Sequence, residues 1–288
     1  MPVISMRVLP TTLPLKKLPV WATIREAFSF VWDHRHGLWL WVVVGAALAG
    51  LASSVDPSLI LGEEEVENVD LFGLKKFGVA CLASMPSTLV FVVLAVYCHR
   101  AILIFSHERA FNLQVVFTAR EWRFFFWLLW VYVATLLCAI PGSITAGIFL
   151  REIGEIYTKN TWMKSILEIF LFYGVFLLPL YYIMGRWSLV FPAIAVDGLP
   201  KMGWSWKQTK GNGWRMLVLV GCIPMTIWYL SSVLPLIGLS EYPGANSFLG
   251  SFVLFLFSPV EVAVISIAFR ELTNWNPSTL PPEEAPVS

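Results

Sequence analysis

Six long apolar stretches constrain the fold of this chain more than any other feature. A helix needs about 20 residues to cross a hydrocarbon core of about 30 Å, and each stretch is close to that length or longer. Because lipid offers no hydrogen-bond partners to the backbone, such stretches are expected to be helical. The sequence therefore predicts an all-α polytopic membrane protein with six transmembrane helices. They lie at about 38–55, 77–97, 123–148, 165–185, 214–238 and 248–269.

Charged residues are too few to cover a soluble globule of this length. Only 14% of the residues are charged and the mean hydropathy is +0.71, whereas a soluble domain is about one-quarter charged. Residues 1–19, which four prolines interrupt, and residues 276–288 are predicted to be disordered cytosolic tails. Residues 20–275 then form one six-span membrane domain.

The distribution of Lys and Arg predicts the orientation of the chain. Six spans place both termini on one side, and 15 of the 20 basic residues fall on that side. Since positively charged loops stay in the cytoplasm, we expect both termini to be cytoplasmic and the protein to lie in the cell inner membrane.

An approximate repeat divides the six spans into three pairs. Arg100, Arg186 and Arg270 each close an even-numbered span, at intervals of 86 and 84 residues, and a basic aromatic segment precedes each odd-numbered span. We interpret the pattern as three parallel helical hairpins with cytoplasmic interfacial helices. The alternative is convergence, because any six-span protein has basic segments on its cytoplasmic side after every second span. We call these segments the basic corners.

Residues 20–33 form an amphipathic pattern before the first span. Most apolar side chains, Trp21, Phe28 and Trp32 among them, share one face at helical spacing, and only Phe30 breaks the pattern. The pattern predicts either a helix lying in the membrane interface or a helix docked on the protein's own bundle.

The segment 185–217 differs from the apolar runs on either side of it. It interleaves basic residues with tryptophans, as chains do on the cytoplasmic face of a membrane. Gly211, Asn212 and Gly213 could form an anion nest or simply a bend before the next span. We predict that the basic corners hold lipid headgroups or stabilise the fold. The residues are Arg100, Arg186, Lys207, Lys210, Trp214, Arg215 and Arg270.

Glu261 is the one acid well inside a predicted span. A lipid-facing charge there would cost about 2.5–3.5 kcal/mol, so the carboxyl group should face the bundle interior. It could serve as a proton or substrate site. Alternatively it forms a structural pair, for which Arg100 or Arg186 is the expected partner.

No pattern of catalytic or metal-binding residues is found in the sequence. It lacks nucleophile-elbow, zinc-protease, Walker and dinucleotide-binding motifs. His34, His36, His99 and His107 are expected to be solvated or to face headgroups, and the four cysteines to be small buried side chains. No cofactor, metal or nucleic-acid partner is predicted.

The segment 185–217 carries a family resemblance in two consecutive runs of residues. The run RWSLVFPAIAVDG followed by SWKQTKGNGWRML resembles a poorly characterised group of bacterial six-span inner-membrane proteins. They are related to the membrane domain of some glycerophosphodiester phosphodiesterases. The catalytic barrel of those enzymes has no counterpart here, so their activity is not implied. The matching positions are Arg186, Pro192, Ser205, Trp206, Thr209, Gly211, Trp214 and Arg215.

The sequence thus favours a non-enzymatic membrane protein. It would organise or assist lipids or another membrane protein through its basic aromatic corners, with anionic headgroups as the main partners. The alternative is a small proton-linked carrier that uses Glu261.

Overall fold

A computed structural model describes residues 16–54, 69–104, 117–156, 177–227 and 243–275. Within these ranges every regular element is helical, which confirms the all-α class. The first four helices are α1 (Val20–Asp33), α2 (Arg35–Ser54), α3 (Val69–Leu103) and α4 (Ala119–Ile156). After them come α5 (Leu178–Trp187), α6 (Val190–Ala195), α7 (Met202–Gln208), α8 (Gly213–Leu217) and α9 (Pro243–Thr273).

Four helices are long and apolar enough to cross a membrane, which makes this a membrane protein by length and composition. Their apolar parts are Arg35–Ser54, Gly78–Leu103, Ala119–Gly142 and Ser247–Thr273. They match the first, second, third and sixth predicted spans. Most of the fourth predicted span and the second half of the fifth lie outside the described residues.

Three of the long helices contain an internal proline, and all three continue through it. α3 passes Pro86, α4 passes Pro141 and runs to Ile156, and α9 passes Pro259. The apolar part of α4 nevertheless stops at Gly142, so its last turns are more polar than the rest.

Helix α9 is the centre of the bundle. It packs against α1, α2 and α3. Just over half (56%) of its apolar part is buried, compared with 18–28% for the other three spans. Small and β-branched residues on α9, such as Ala263, Val264 and Ala268, are fully enclosed. Their size lets the neighbouring helices approach closely.

Helix α1 docks on this bundle and also presents an apolar face outward. Ala27 and Phe30 are buried, so Phe30, the exception in the sequence pattern, lies on the docked face. Trp21 is 82% exposed and Trp32 is 68% exposed, and Phe28 is exposed as well. The single apolar face predicted from spacing is therefore divided between the protein and its surroundings.

The chain turns sharply in the segment between α5 and α8. The short helices α6 and α7 fold back so that α8 packs against α5. Beyond Leu217 the helix passes through a π turn, Val218–Cys222, and continues to Ile227. The π turn lies just before Pro224, whose ring cannot accept the regular backbone geometry of the preceding turn.

Candidate functional site

Arg186 is a buried cation at the end of α5. Only 7% of the residue is exposed. Its guanidinium group donates hydrogen bonds to the Trp206 carbonyl and to the Tyr182 hydroxyl, the latter at 3.4 Å. It also stacks on the Trp206 ring, 4.3 Å from the centroid. In the part of the chain that the structure describes, no carboxylate lies within ion-pair distance of it.

Two buried hydroxyl groups fix the backbone at Arg186. Ser205 Oγ donates to the Arg186 carbonyl at 2.7 Å, and Thr209 Oγ1 donates to the Ser205 carbonyl at 2.9 Å. Both hydroxyl residues are fully buried. These bonds tie α7 to the end of α5.

Two glycines shape the turn that follows α7. Gly211 has a φ of 77°, in the left-handed region that favours glycine. A Cβ atom at Gly213 would lie 2.5 Å from the Tyr182 hydroxyl. The turn therefore brings the backbone of residues 211–213 close to Tyr182. Of the two alternatives for these residues, an anion nest or a bend, the bend is present.

Asn212, between these glycines, binds the start of the described chain. Its Oδ1 accepts a hydrogen bond from the Leu18 amide at 2.9 Å, and its Nδ2 donates to the Lys16 carbonyl at 2.8 Å. Arg215 Nη1 also donates to the same Oδ1, at 3.2 Å. Lys16 and Lys17, expected to belong to a disordered tail, are thus held beside the turn.

These elements line an open cavity of about 400 Å³. Its basic lining comes from Lys17, Arg186 and Arg215, with Tyr182 and Trp214 as aromatic neighbours and glycine backbone completing the wall. None of the three cations has an acidic partner among the described residues. A cavity of this composition suits an anion that accepts several hydrogen bonds.

The structure brings together only some of the predicted corner residues. Arg186, Trp214 and Arg215 line the cavity. Lys207 and Lys210 are exposed and lie outside its lining. Lys17 and Tyr182 were not predicted, and Asn212 was predicted only as part of an anion nest or a bend. Its bond to the Leu18 amide joins positions 194 residues apart, so no local sequence pattern could indicate it.

Arg100 and Arg270 differ from Arg186 because each binds a carboxylate. Arg100 Nη1 lies 3.3 Å from Asp197, and Arg270 Nη2 contacts both oxygens of Glu26, at 2.7 and 2.9 Å. The three arginines therefore have different local chemistry, whatever their relation in sequence.

Asp197 joins three elements in an ion-pair cluster that the sequence analysis missed. Arg120 contacts it with two nitrogens, at 2.9 and 2.8 Å, in addition to Arg100. Asp197 has a φ of 62° and lies just beyond the end of α6, where the Gly198 amide donates back to the Ala193 carbonyl. Helices commonly end this way with glycine at the left-handed position, and aspartate is among the few other residues that tolerate it.

Glu261 and His99 lie away from the cavity. Glu261 forms no ion pair with Arg100 or Arg186, its expected partners, and no other partner for it is found among the described residues. His99 is buried rather than solvated, with Nδ1 2.6 Å from Ser266 Oγ. Within the described ranges no group of three or more His, Cys, Asp and Glu side chains could hold a metal ion.

Comparisons with protein-family profiles, with curated proteins and with solved structures find no match to this chain.

Proposed function

We propose that this chain is a non-enzymatic, six-span inner-membrane protein that binds anionic lipid headgroups in the cavity around Arg186. Through such binding it would organise lipids or assist a membrane partner. The four apolar helices support its place in a membrane. The resemblance to membrane domains related to glycerophosphodiester phosphodiesterases, the three-hairpin arrangement and the cytoplasmic position of both termini are parts of the same proposal.

The buried charge of Arg186 is the observation that carries this proposal. A buried guanidinium without a carboxylate is costly, and the hydrogen bonds to Trp206 and Tyr182 offset only part of that cost. Its Nε has no hydrogen-bond partner among the described residues. A phosphate ester would supply both the missing charge and further acceptor oxygens.

The surroundings of the cavity favour a lipid as the source of that phosphate. Trp214 is 71% exposed beside the cavity, and Trp side chains are enriched at membrane–water interfaces. Arg215 and Lys17 add positive charge at the same place. An anionic headgroup could reach this position while its acyl chains remain among the apolar helices.

A lipid titration tests the proposal. Detergent-purified protein would be titrated with short-chain phosphatidylglycerol, phosphatidylcholine or soluble glycerol phosphate, and bound ligand measured by native mass spectrometry. We expect phosphatidylglycerol to bind more tightly than the other two. Equal binding of both lipids would contradict an anionic site, and equal binding of glycerol phosphate would indicate a site for free phosphate esters.

Charge-neutralising variants locate the site. Arg215→Gln should weaken phosphatidylglycerol binding about fivefold. This factor corresponds to the free energy of about 1 kcal/mol that one cation contributes near an anionic headgroup. Lys210→Gln is the matched control, because Lys210 is exposed nearby but does not line the cavity. Equal losses in both variants would show a diffuse basic surface instead of a site.

A proton-linked carrier is the second candidate, and Glu261 is the observation in its favour. This acid lies within the apolar part of α9 and lacks a partner among the described residues. In a carrier, Glu261→Gln should abolish proton-coupled uptake in proteoliposomes and leave thermal unfolding unchanged. A fall in the unfolding temperature without any uptake by the parent protein would exclude this candidate.

A further inference from the structure

The residues before α1 form an ordered element that contributes to the cavity. We call residues Lys16–Pro19 the N-terminal strap. Leu18 is only 2% exposed and belongs to the hydrophobic core, although its neighbours Lys16, Lys17 and Pro19 are exposed. The strap therefore inserts one side chain into the core and leaves the rest on the surface.

Three contacts hold the strap in place. The Asn212 side chain bonds the backbone on both sides of Lys17, accepting from the Leu18 amide and donating to the Lys16 carbonyl. Lys16 Nζ lies 2.5 Å from Glu271 on α9. The Asn212 bonds point Lys17 at the turn of residues 211–213, where its side chain lines the cavity.

The strap is also connected to the other side of the cavity through one atom. Asn212 Oδ1 accepts hydrogen bonds from the Leu18 amide of the strap and from Arg215, a cation of the lining. The position of the strap and the position of an anion-binding arginine thus depend on the same amide. Among the hydrogen bonds of the described residues, none connects the strap to Lys207 or Lys210, which do not line the cavity.

We propose that the N-terminal strap is part of the anion site, so that binding of an anionic headgroup and docking of the strap stabilise each other. The inference rests on the proposed function, because it takes the same ligand class. When the strap is docked the cavity presents Lys17, Arg186 and Arg215 to the ligand; when the strap leaves, Lys17 leaves with it.

Linkage gives the size of the effect. A ligand shifts an equilibrium only by its difference in affinity for the two states, and binding and docking must influence each other equally. The difference here is one lysine, so the docked state should bind phosphatidylglycerol about fivefold more tightly than the undocked state. The headgroup should then reduce the undocked population by about the same factor.

Trypsin measures that population, because it cleaves after lysine and needs an extended, undocked chain. Cleavage after Lys16 or Lys17 tracks the undocked fraction when undocking and redocking are fast. We expect saturating short-chain phosphatidylglycerol to slow this cleavage about fivefold. Phosphatidylcholine should leave the rate unchanged, as should glycerol phosphate at concentrations where it does not bind. A free peptide substrate in the same digest reports any effect on trypsin itself.

Two variants of adjacent lysines form a matched pair for this experiment. Lys17→Gln keeps the cleavage site after Lys16 but removes the cation from the cavity, so lipid protection should disappear. Lys16→Gln keeps the site after Lys17 and loses only the contact with Glu271, so lipid protection should persist. Protection lost in both variants, or in neither, would overturn the role assigned to Lys17.

The outcomes also distinguish failure of this inference from failure of the proposed function on which it rests. If phosphatidylglycerol binds and the rate of cleavage stays the same, the strap is not part of the site, and the proposed function stands. If phosphatidylglycerol does not bind in the native mass spectra, both fail. Slower cleavage together with binding, sensitive to Lys17→Gln alone, supports both.

Discussion

Single residues with unusual conformations or surroundings determine the shape of the corner between α5 and α8. Gly211 adopts a left-handed conformation, and Gly213 allows close approach to Tyr182. Asp197 has a positive φ and binds two arginine side chains. Each can be tested with a substitution that changes one property only.

Substitution of Gly213 by alanine should damage the corner. The added Cβ would lie 2.5 Å from the Tyr182 hydroxyl, and overpacking of this kind costs about 1–3 kcal/mol. Because Tyr182 lines the cavity, lipid binding should weaken as well. Thermal unfolding and native mass spectrometry provide the two measurements.

Gly203→Ala is the control for this change. Gly203 lies in α7, where an added Cβ meets no atom within 4 Å. Replacing a helical glycine by alanine should stabilise the protein by up to about 1 kcal/mol. Equal losses in both variants would mean that contact with Tyr182 is not the cause.

Removal of the Asp197 charge should destabilise the protein more than removal of a surface charge. Asp197→Asn keeps a residue that tolerates the left-handed region but leaves Arg100 and Arg120 without that carboxylate, at a cost of about 1–3 kcal/mol. Glu26→Gln breaks the more exposed pair with Arg270 and should cost at most about 1 kcal/mol. Thermal unfolding in detergent compares the two, and a larger loss from Glu26→Gln would contradict the assignment.

At the scale of elements, hydropathy predicts which segments are helical but not how each helix is turned. The spans in α2, α3, α4 and α9 follow from runs of apolar residues, because length and composition suffice to identify them. The orientation of α1 does not follow from hydropathy, since its aromatic side chains are apolar enough to be buried in the protein or to face lipid. Phe30 faces the bundle and Trp32 faces outward, a choice made by packing against α9.

The contact between α2 and α9 depends on close approach at Gly45. An added Cβ at this position would lie 2.1 Å from the Phe255 ring. Gly45→Ala should therefore destabilise the bundle by about 1–3 kcal/mol, and Phe255→Leu in the same chain should restore part of that loss. The four chains of the double-mutant cycle would be compared by thermal unfolding in detergent. Losses that simply add would show that the two residues do not meet.

At the scale of the whole molecule, the candidate site combines parts that are far apart in sequence. Arg186, Trp214 and Arg215 could be predicted because they share one basic aromatic segment. Lys17 could not be predicted, and neither could the bonds of Asn212 to Lys16 and Leu18, because these residues lie 196 and 194 positions apart in the sequence. The partners of Arg100 and Arg270 were also hidden, since they lie on other elements.

Six spans require both ends of the chain to lie on one side of the membrane. We expect green fluorescent protein to fluoresce when fused to either terminus in a bacterial host, and alkaline phosphatase to be inactive at both. Fusion of phosphatase between the first and second predicted spans, at about residues 56–68, provides the positive control, because the proposal places this segment outside the cytoplasm. Opposite results at the two termini would require an odd number of spans.

Contact of the N-terminal strap with Asn212 also sets an order of events during synthesis. The amide of Leu18 finds its acceptor 194 positions later in the chain. At about 5–20 residues per second, the ribosome needs about 10–40 s to make the intervening chain. Throughout that interval the Leu18 amide lacks its acceptor, and α1 lacks α9, on which it docks. Residues 16–19 are thus made well before the residues that hold them in place.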